Sequence, residues 1–297
     1  MGHMAPMTTP LVFDRKLVRE RLRRAAAGGY ADFLLARAVD DLDERLSPVL
    51  RDFACALDVG TPGPQAAAAL ARRAGQVIRL APLPEDGAVV ADEEMLPVAA
   101  ERFDLAVSLL ALQSVNDLPG ALVQIRRALR PDGLFIGCLF GGGTLTELRQ
   151  SFAAAEAEVE GGLSPRVAPF ADVRDLGGLL QRAGFALPVT DIEAVTVRYR
   201  DPFGLLRDLR AMGLTNALVE RRRTPLRRTT LLRAAQIYSE RFADPDGRVR
   251  ATFEMLWLSG WAPHESQQKP LRPGSAKMRL ADALGVAEHG AGDKAKP

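Results

Sequence analysis

The chain has 297 residues, with 39 Lys and Arg against 37 Asp and Glu, three histidines and two cysteines. That length suits one large α/β domain or two small ones, and a net charge of +2 makes no whole-protein case for nucleic acid. Cys55 and Cys138 cannot build a disulfide framework, which points to a reducing compartment and a cytoplasmic location.

Histidine scarcity excludes more. His3 lies in a Gly-His-Met start that reads as a cloning remnant, and residues 1–10 are expected to be a tag and a disordered start. His289 lies in the small, charged stretch from Ala287, an expected disordered tail. His264 is then the one histidine left for the folded part. A two-histidine metal site, the two-histidine-one-carboxylate iron triad included, cannot come from one such chain; hydroxylation by that route would draw ligands from a partner. A Ser-His-Asp hydrolase would rest on His264 alone. No run of about 18 uncharged apolar residues occurs, so no spanning helix is expected. Five basic residues are lysine and 34 arginine; a GC-rich genome accounts for that excess better than selection for arginine forks does.

In chain order, Asp14–Val49 is charged and periodic, with Leu34, Leu35, Ala38 and Leu42 on one helical face, and predicts N-terminal helices over about residues 11–50. Short apolar runs then alternate with helical stretches, the pattern of a parallel sheet with crossover helices. Strands are expected at Cys55–Val59, Val77–Leu80, Ala88–Ala91, Phe103–Leu110 and Gly133–Phe140. Helices are expected at Pro64–Ala74, stopped by Gly75, and at Leu118–Leu129, capped by Asn116 or Asp117 with Pro119 in the first turn. Further helices follow at Thr144–Val159, from Asp172 to a stop at Gly184, and at Pro202–Met212 and Leu231–Phe242, the last two forming an insertion over about 200–245. Ala194–Tyr199 and Thr252–Trp261 read as strands.

A strand ending in Asp58, a glycine turn and a helix open a doubly wound nucleotide-binding sheet. The turn reads ALDVGTPGP, Ala56 to Pro64. With Asp92, RFDLAVSLLALQSVND (Arg102 to Asp117) and RPDGLFIG (Arg130 to Gly137), it resembles the class I S-adenosylmethionine-dependent methyltransferases, whose first strand ends in Asp-x-Gly-x-Gly-x-Gly. Asp58 and Gly60 match; Pro62 and Pro64 stand where the second and third glycines belong, with Gly63 displaced by one. Proline brings a ring and no N–H to a wall that should supply amide donors. The acid expected after the second strand, for ribose hydroxyls, is replaced by Ala81 or Pro82; Glu85 and Asp86 come late and would substitute only if their loop folded back. Asp92 matches the acid that approaches the adenine amino group.

ADEEMLP (Ala91 to Pro97), VNDLPGAL (Val115 to Leu122), TLTELR (Thr144 to Arg149), EGGLSPRVAPF (Glu160 to Phe170), DLGGLLQRAGF (Asp175 to Phe185), GWAPHESQQKP (Gly260 to Pro270) and RPGSA (Arg272 to Ala276) narrow the likeness. They resemble the methyltransferase-fold assembly factors of respiratory complex I in their alphaproteobacterial form, from about Phe13 to about Leu284. A more distant likeness is to the biotin-pathway methyltransferase of malonyl-carrier protein. The resemblance implies a Rossmann-like seven-stranded methyltransferase fold over about residues 51–286. It also implies a part in maturing the peripheral arm of complex I, with modification of an arginine on a subunit near the quinone site. Bound S-adenosylmethionine would have Asp58, Gly60 and Gly63 at its methionine end, Asp92 at its adenine and Gln113 lining the pocket. A non-catalytic assembly chaperone that kept the fold and lost the cofactor is the alternative, as is a methyltransferase of a carrier-bound small acid.

His264, in Pro-His-Glu-Ser, is a candidate base with Glu265 or Ser266, or a loop histidine capping local backbone. Tyr199 could reach a substrate or be a half-buried strand tyrosine. Val219–Arg233, with its core at Arg221–Arg228, could hold an acidic partner or touch an anionic membrane, or be a solvated connector. Trp257 and Trp261 share a strand face and read as core. Gly141–Gly143 reads equally as a ligand loop or a flexible cap.

Overall fold

A computed structural model describes residues 11–268 and Gly285; the expected disordered start and tail, and the string Arg272 to Ala276, lie outside the described residues. The chain divides into two compact units, Met1–Pro263 and His264–Pro297. All helices and strands named below belong to the first.

Chain order is α1 (Arg15–Ala27), α2 (Phe33–Leu46), β1 (Phe53–Val59), α3 (Gln65–Leu70), β2 (Ala74–Ala81), β3 (Ala88–Val90), β4 (Phe103–Leu109), α4 (Leu118–Ala128), β5 (Leu129–Phe140), α5 (Thr146–Glu160), α6 (Val173–Arg182), β6 (Ala186–Tyr199), α7 (Pro202–Ala211), α8 (Arg228–Phe242) and β7 (Val249–Trp261). The seven strands make one sheet in the order β3-β2-β1-β4-β5-β7-β6. β1 to β5 pair in parallel, and β7 runs antiparallel to both β5 and β6. This is the expected seven-stranded methyltransferase-type sheet, with α7 and α8 inserted before the last strand.

Alternation along the central strands sends neighbouring residues to opposite faces. Ala56, Leu105, Ile136 and Trp257 enter a core under α2, α3, α5, α7 and α8, while Leu57, Ala106, Phe135 and Leu258 enter a second core under α4 and α6. The face predicted for α2 is the buried one: Leu34, Leu35, Ala38 and Leu42, joined by Leu46, are almost fully covered. Asp117 rather than Asn116 caps α4, accepting from the Gly120 amide at 2.8 Å. Both cysteines are free.

Several expected elements differ in their bounds: β2, β5, α8 and β7 begin three or four residues early, and two others differ for a definable reason. The helix from Pro64 ends at Leu70, and Gly75 is part of β2, where a Cβ would stand 3.2 Å from the Ala54 carbonyl oxygen. Pairing of Phe53 with Ala74 and Cys55 with Gln76 overrides the helical pattern, and glycine permits that close approach. β6 begins eight residues before Ala194, because β7 offers a ladder out to the Ala186–Trp261 pair. Pro188 falls at its register shift between Ala186 and Val189, on the edge of the sheet where its missing N–H costs no ladder bond. Among the described residues, no helix is long and apolar enough to cross a membrane.

Leu42 is fully covered, so Leu42→Ala should cost about 2–5 kcal/mol in urea unfolding. Val123→Ala, on the exposed side of α4, should stay within about 0.5 kcal/mol of the parent.

Candidate functional site

The turn after β1 is pinned from several sides. The Gly60 amide donates to the Leu80 carbonyl at 2.9 Å, and the Thr61 hydroxyl, fully buried, accepts from the Leu109 amide at 3.0 Å. The Thr61 amide faces the Asp58 carboxylate. Pro62 and Pro64 have no N–H, which leaves the Gly63 amide as the loop's remaining donor. Gly60 and Gly63 both take positive φ, +75° and +76°, a conformation that favours glycine.

Asp58 is completely buried at the end of β1 and does not reach the cavity described below. Burial pushes its carboxyl up to about 7, against the pull of Thr61 and of the Arg79 guanidinium, whose Nε is 3.6 Å away. Arg79 is itself taken by Glu85, at 2.6 Å, so Glu85 is turned to β2 and not toward a ribose position.

The carboxyl ends of β1, β2 and β4 open on a cavity of about 260 Å³, the ligand position of an open α/β sheet. Gly60, Pro62, Pro82, Glu93, Leu110, Ala111 and Gln113 line it on the sheet side, and Phe13, Arg15, Val18 and Arg19 of the α1 region close it. Leu209 and Met212, from α7 and its end, lie on a further wall. Gln113 donates to the Leu110 carbonyl at 2.7 Å, and its Oε1 is buried without a partner.

Two acids and two arginines form the polar end. Arg15 donates to Asp92 Oδ1 at 2.9 Å and to Glu93, and its Nη1 reaches the Ser114 carbonyl at 3.1 Å. Arg19 also donates to Asp92. Burial opposes the charge on Asp92, but the Glu94 amide and the Arg15 and Arg19 guanidiniums hold its carboxyl below the usual range. Glu93 is more deeply buried, and burial outweighs Arg15 to push its carboxyl up.

These residues do not fit S-adenosylmethionine in the way the family motif prescribes. A Cβ on Gly60 would stand 2.7 Å from Glu93 Cγ and 3.0 Å from Ala111 Cβ, so the clearance that this glycine would provide for a ligand is filled by Glu93. Pro82, one of the two residues where the ribose acid was expected, lines the cavity with no side-chain acceptor, and both arginines hold Asp92, the acid expected at the adenine.

Of the residues expected at the site, Gly60 and Gln113 line the cavity; Asp58, Gly63 and Asp92 do not, although Asp92 holds two of its lining arginines. Tyr199 packs into the core under α7, where burial, with Asp208 adding to it, raises its hydroxyl pKa. His264 belongs to the second unit, where Nδ1 is 2.7 Å from Ser266 Oγ. Gly141–Gly143 serves packing: a Cβ on Gly141 would meet Leu256 Cγ at 2.7 Å, and the Gly141 amide donates to the Glu254 carbonyl. The Arg221–Arg228 stretch is a connector into α8 in which Arg221 pairs with Asp14 and Arg222 with Glu160. Arg15, Arg19 and Glu93 escaped the sequence reading; the only signals were the acid run beginning at Asp92 and the arginine density of α1. Among the described residues, no group of three or more His, Cys, Asp or Glu gathers to hold a metal.

The sequence profile of the family described as "Methyltransferase domain" matches residues 30–188. Among solved structures, the YcgJ protein of Bacillus subtilis superposes with a TM-score of 0.54 at 12% identity, over 77% of this chain and 99% of that one. The chain belongs to the methyltransferase-domain family. "Arginine-hydroxylase NDUFAF5, mitochondrial" of Danio rerio is 40% identical over 286 residues, covering 91% of this chain and 89% of the relative. Malonyl-[acyl-carrier protein] O-methyltransferase of Gallionella capsiferriformans (strain ES-2) is 33% identical over 279 residues, 85% and 92%. Within the larger family, the particular group is therefore that of NDUFAF5.

The buried Asp58 carboxyl gives a signed pH effect. The folded chain keeps, up to about pH 7, a proton that the unfolded chain releases near its ordinary value of 3.8. This contribution to stability is full below about pH 4 and lost as pH rises through about 7. Asp58→Asn should flatten that part of the profile and melt above the parent at about pH 8, as read by thermal unfolding across this range.

Proposed function

We infer that this protein serves the assembly of respiratory complex I, acting on an arginine-bearing subunit of the peripheral arm in the cytoplasm. The observation that carries the reading is the likeness to the NDUFAF5 relatives along nearly the whole chain. The Gallionella relative, which acts on malonyl-carrier protein by its name, is more distant. The geometry supports a role in handling a protein partner. Fold and cavity are retained, while Glu93 fills the clearance above Gly60 and the loop amides are largely spent. On this reading Gly60 and Gln113 line a partner-binding chamber, and neither Tyr199 nor His264 is assigned a chemical step.

Deleting the gene in the native organism should lower assembled complex I, and the tagged protein should co-purify with a peripheral-arm subunit. Recovery of carrier protein alone, with complex I unchanged, would overturn the reading. Millimolar S-adenosylmethionine should leave the melting temperature unmoved. A ligand at about a hundred times its dissociation constant adds roughly 2.7 kcal/mol, so a shift of several degrees would return the site to the cofactor.

A further inference from the structure

The polar end of the cavity already holds a guanidinium, and it comes from the chain itself. Arg15 is 87% buried by side chain; its Nη2 donates to both Asp92 and Glu93 on the loop after β3 and its Nη1 to the Ser114 carbonyl, while its Nε finds no partner. A buried acid with a half-buried one and a backbone acceptor beside it suits a planar cation with several donors better than an ammonium, because more of those donors are satisfied at once.

The element carrying Arg15 is fastened by few apolar contacts; its other ties are polar, among them the Asp14–Arg221 and Arg19–Asp92 pairs and the Phe13–Leu218 bridge. α1 lies before residue 30, where the match to the methyltransferase-domain family begins. Only Val18 and Ala25 of α1 are buried, and with Phe13 and Leu218 Val18 makes a small cluster apart from the two main cores. The preceding segment is tied by Asn116, whose Oδ1 accepts from the Val12 and Phe13 amides at 2.8 Å, and by the Asp14 amide on the Ala217 carbonyl. Elements held by few apolar contacts open at low free energy. Withdrawing α1 would remove Phe13, Arg15 and Val18 from the cavity wall together, leaving Glu93 on that wall and Asp92 behind the place that Arg15 now fills.

We propose that Asp92, Glu93 and the Ser114 carbonyl form a receptor for the guanidinium of a partner protein's arginine, which Arg15 fills in cis until α1 is displaced. The inference rests on the reading of the protein as one that handles an arginine-bearing subunit. The chamber suits that ligand: methylenes of an arginine pack on apolar walls while its head pairs with acids. Arg19, which reaches only Asp92 and is more exposed, would remain with α1.

The test uses the full chain with acetyl-arginine N-methylamide as probe and acetyl-lysine N-methylamide as its control, read by calorimetric titration. A site shut about nine-tenths of the time binds roughly tenfold more weakly than the open one. Arg15→Ala should therefore gain about tenfold or more in affinity for the arginine probe and not for the lysine control, and adding Asp92→Asn should abolish the gain. Arg15→Lys, which keeps the charge and loses the fork, gives a smaller gain and covers the case in which the alanine variant does not fold. In the parent chain, the arginine probe should speed amide exchange in α1 and leave β4 unchanged. Equal affinity in parent and both variants, an equal gain for lysine, or no exchange response in α1 would overturn the proposal, and Arg15 would then be a structural ion pair. A gain in arginine affinity with complex I unchanged in the deletion strain would instead fail the assembly reading and leave the receptor standing.

Discussion

A carboxylate taken into an apolar chamber either meets a cation or gives up its charge to a proton, and in this protein that constraint falls on Glu93. Its side chain lies over Gly60 at the carboxyl end of β1, and the answering charge is Arg15. One contact therefore sets three things at once. It places α1 across the ends of the parallel strands, it fills the clearance that the glycine turn provides, and it engages Asp92 in the same arginine fork. The cover above the sheet rests on it together with the Phe13–Leu218 bridge and the Asp14–Arg221 pair.

The architecture was largely readable from the pattern of apolar residues, because buried parallel strands and amphipathic helices impose opposite periodicities. β1, β3 and β4 fall within one or two residues of their expected bounds, and the covered face of α2 was named residue by residue. Errors arose where a long-range pairing outweighed a local preference. Alanines after Pro64 read as helix through Ala74, yet β1 recruits Ala74 onward as a strand. The first half of β6 was hidden because Pro188 argues against a strand in general, and only its place on the edge makes it harmless.

The site was legible in its losses more than in its contents. Pro62, Pro64 and the missing acid near Pro82 announced from the sequence that the turn was altered, and the spent amides give that alteration a geometry. The replacement could not be read. Nothing in the arginine-rich stretch from Arg15 to Arg24 distinguishes the two side chains that turn to Asp92 from the others, since ion pairing across more than 70 residues leaves no local spacing. Asp92 was marked by its place after the third strand, whereas its neighbour Glu93 carried no mark beyond being acidic. Histidine scarcity constrained mechanism without locating anything.

The long final edge of the sheet carries a different lesson. β6 exposes Leu187, Val189 and Ile192 along a border with an unpaired side, the kind of rim on which another chain could add a strand. Three devices interrupt it: the proline and register shift near its start, Asp191 and Glu193 held by Arg45 and Arg37 of α2, and Arg198 clamped to Asp244 and Asp246. Charges and a broken ladder make such a rim a poor template. The same ion pairs that fasten the strand to its own helix thus also make its free edge a poor template for a second copy of the chain.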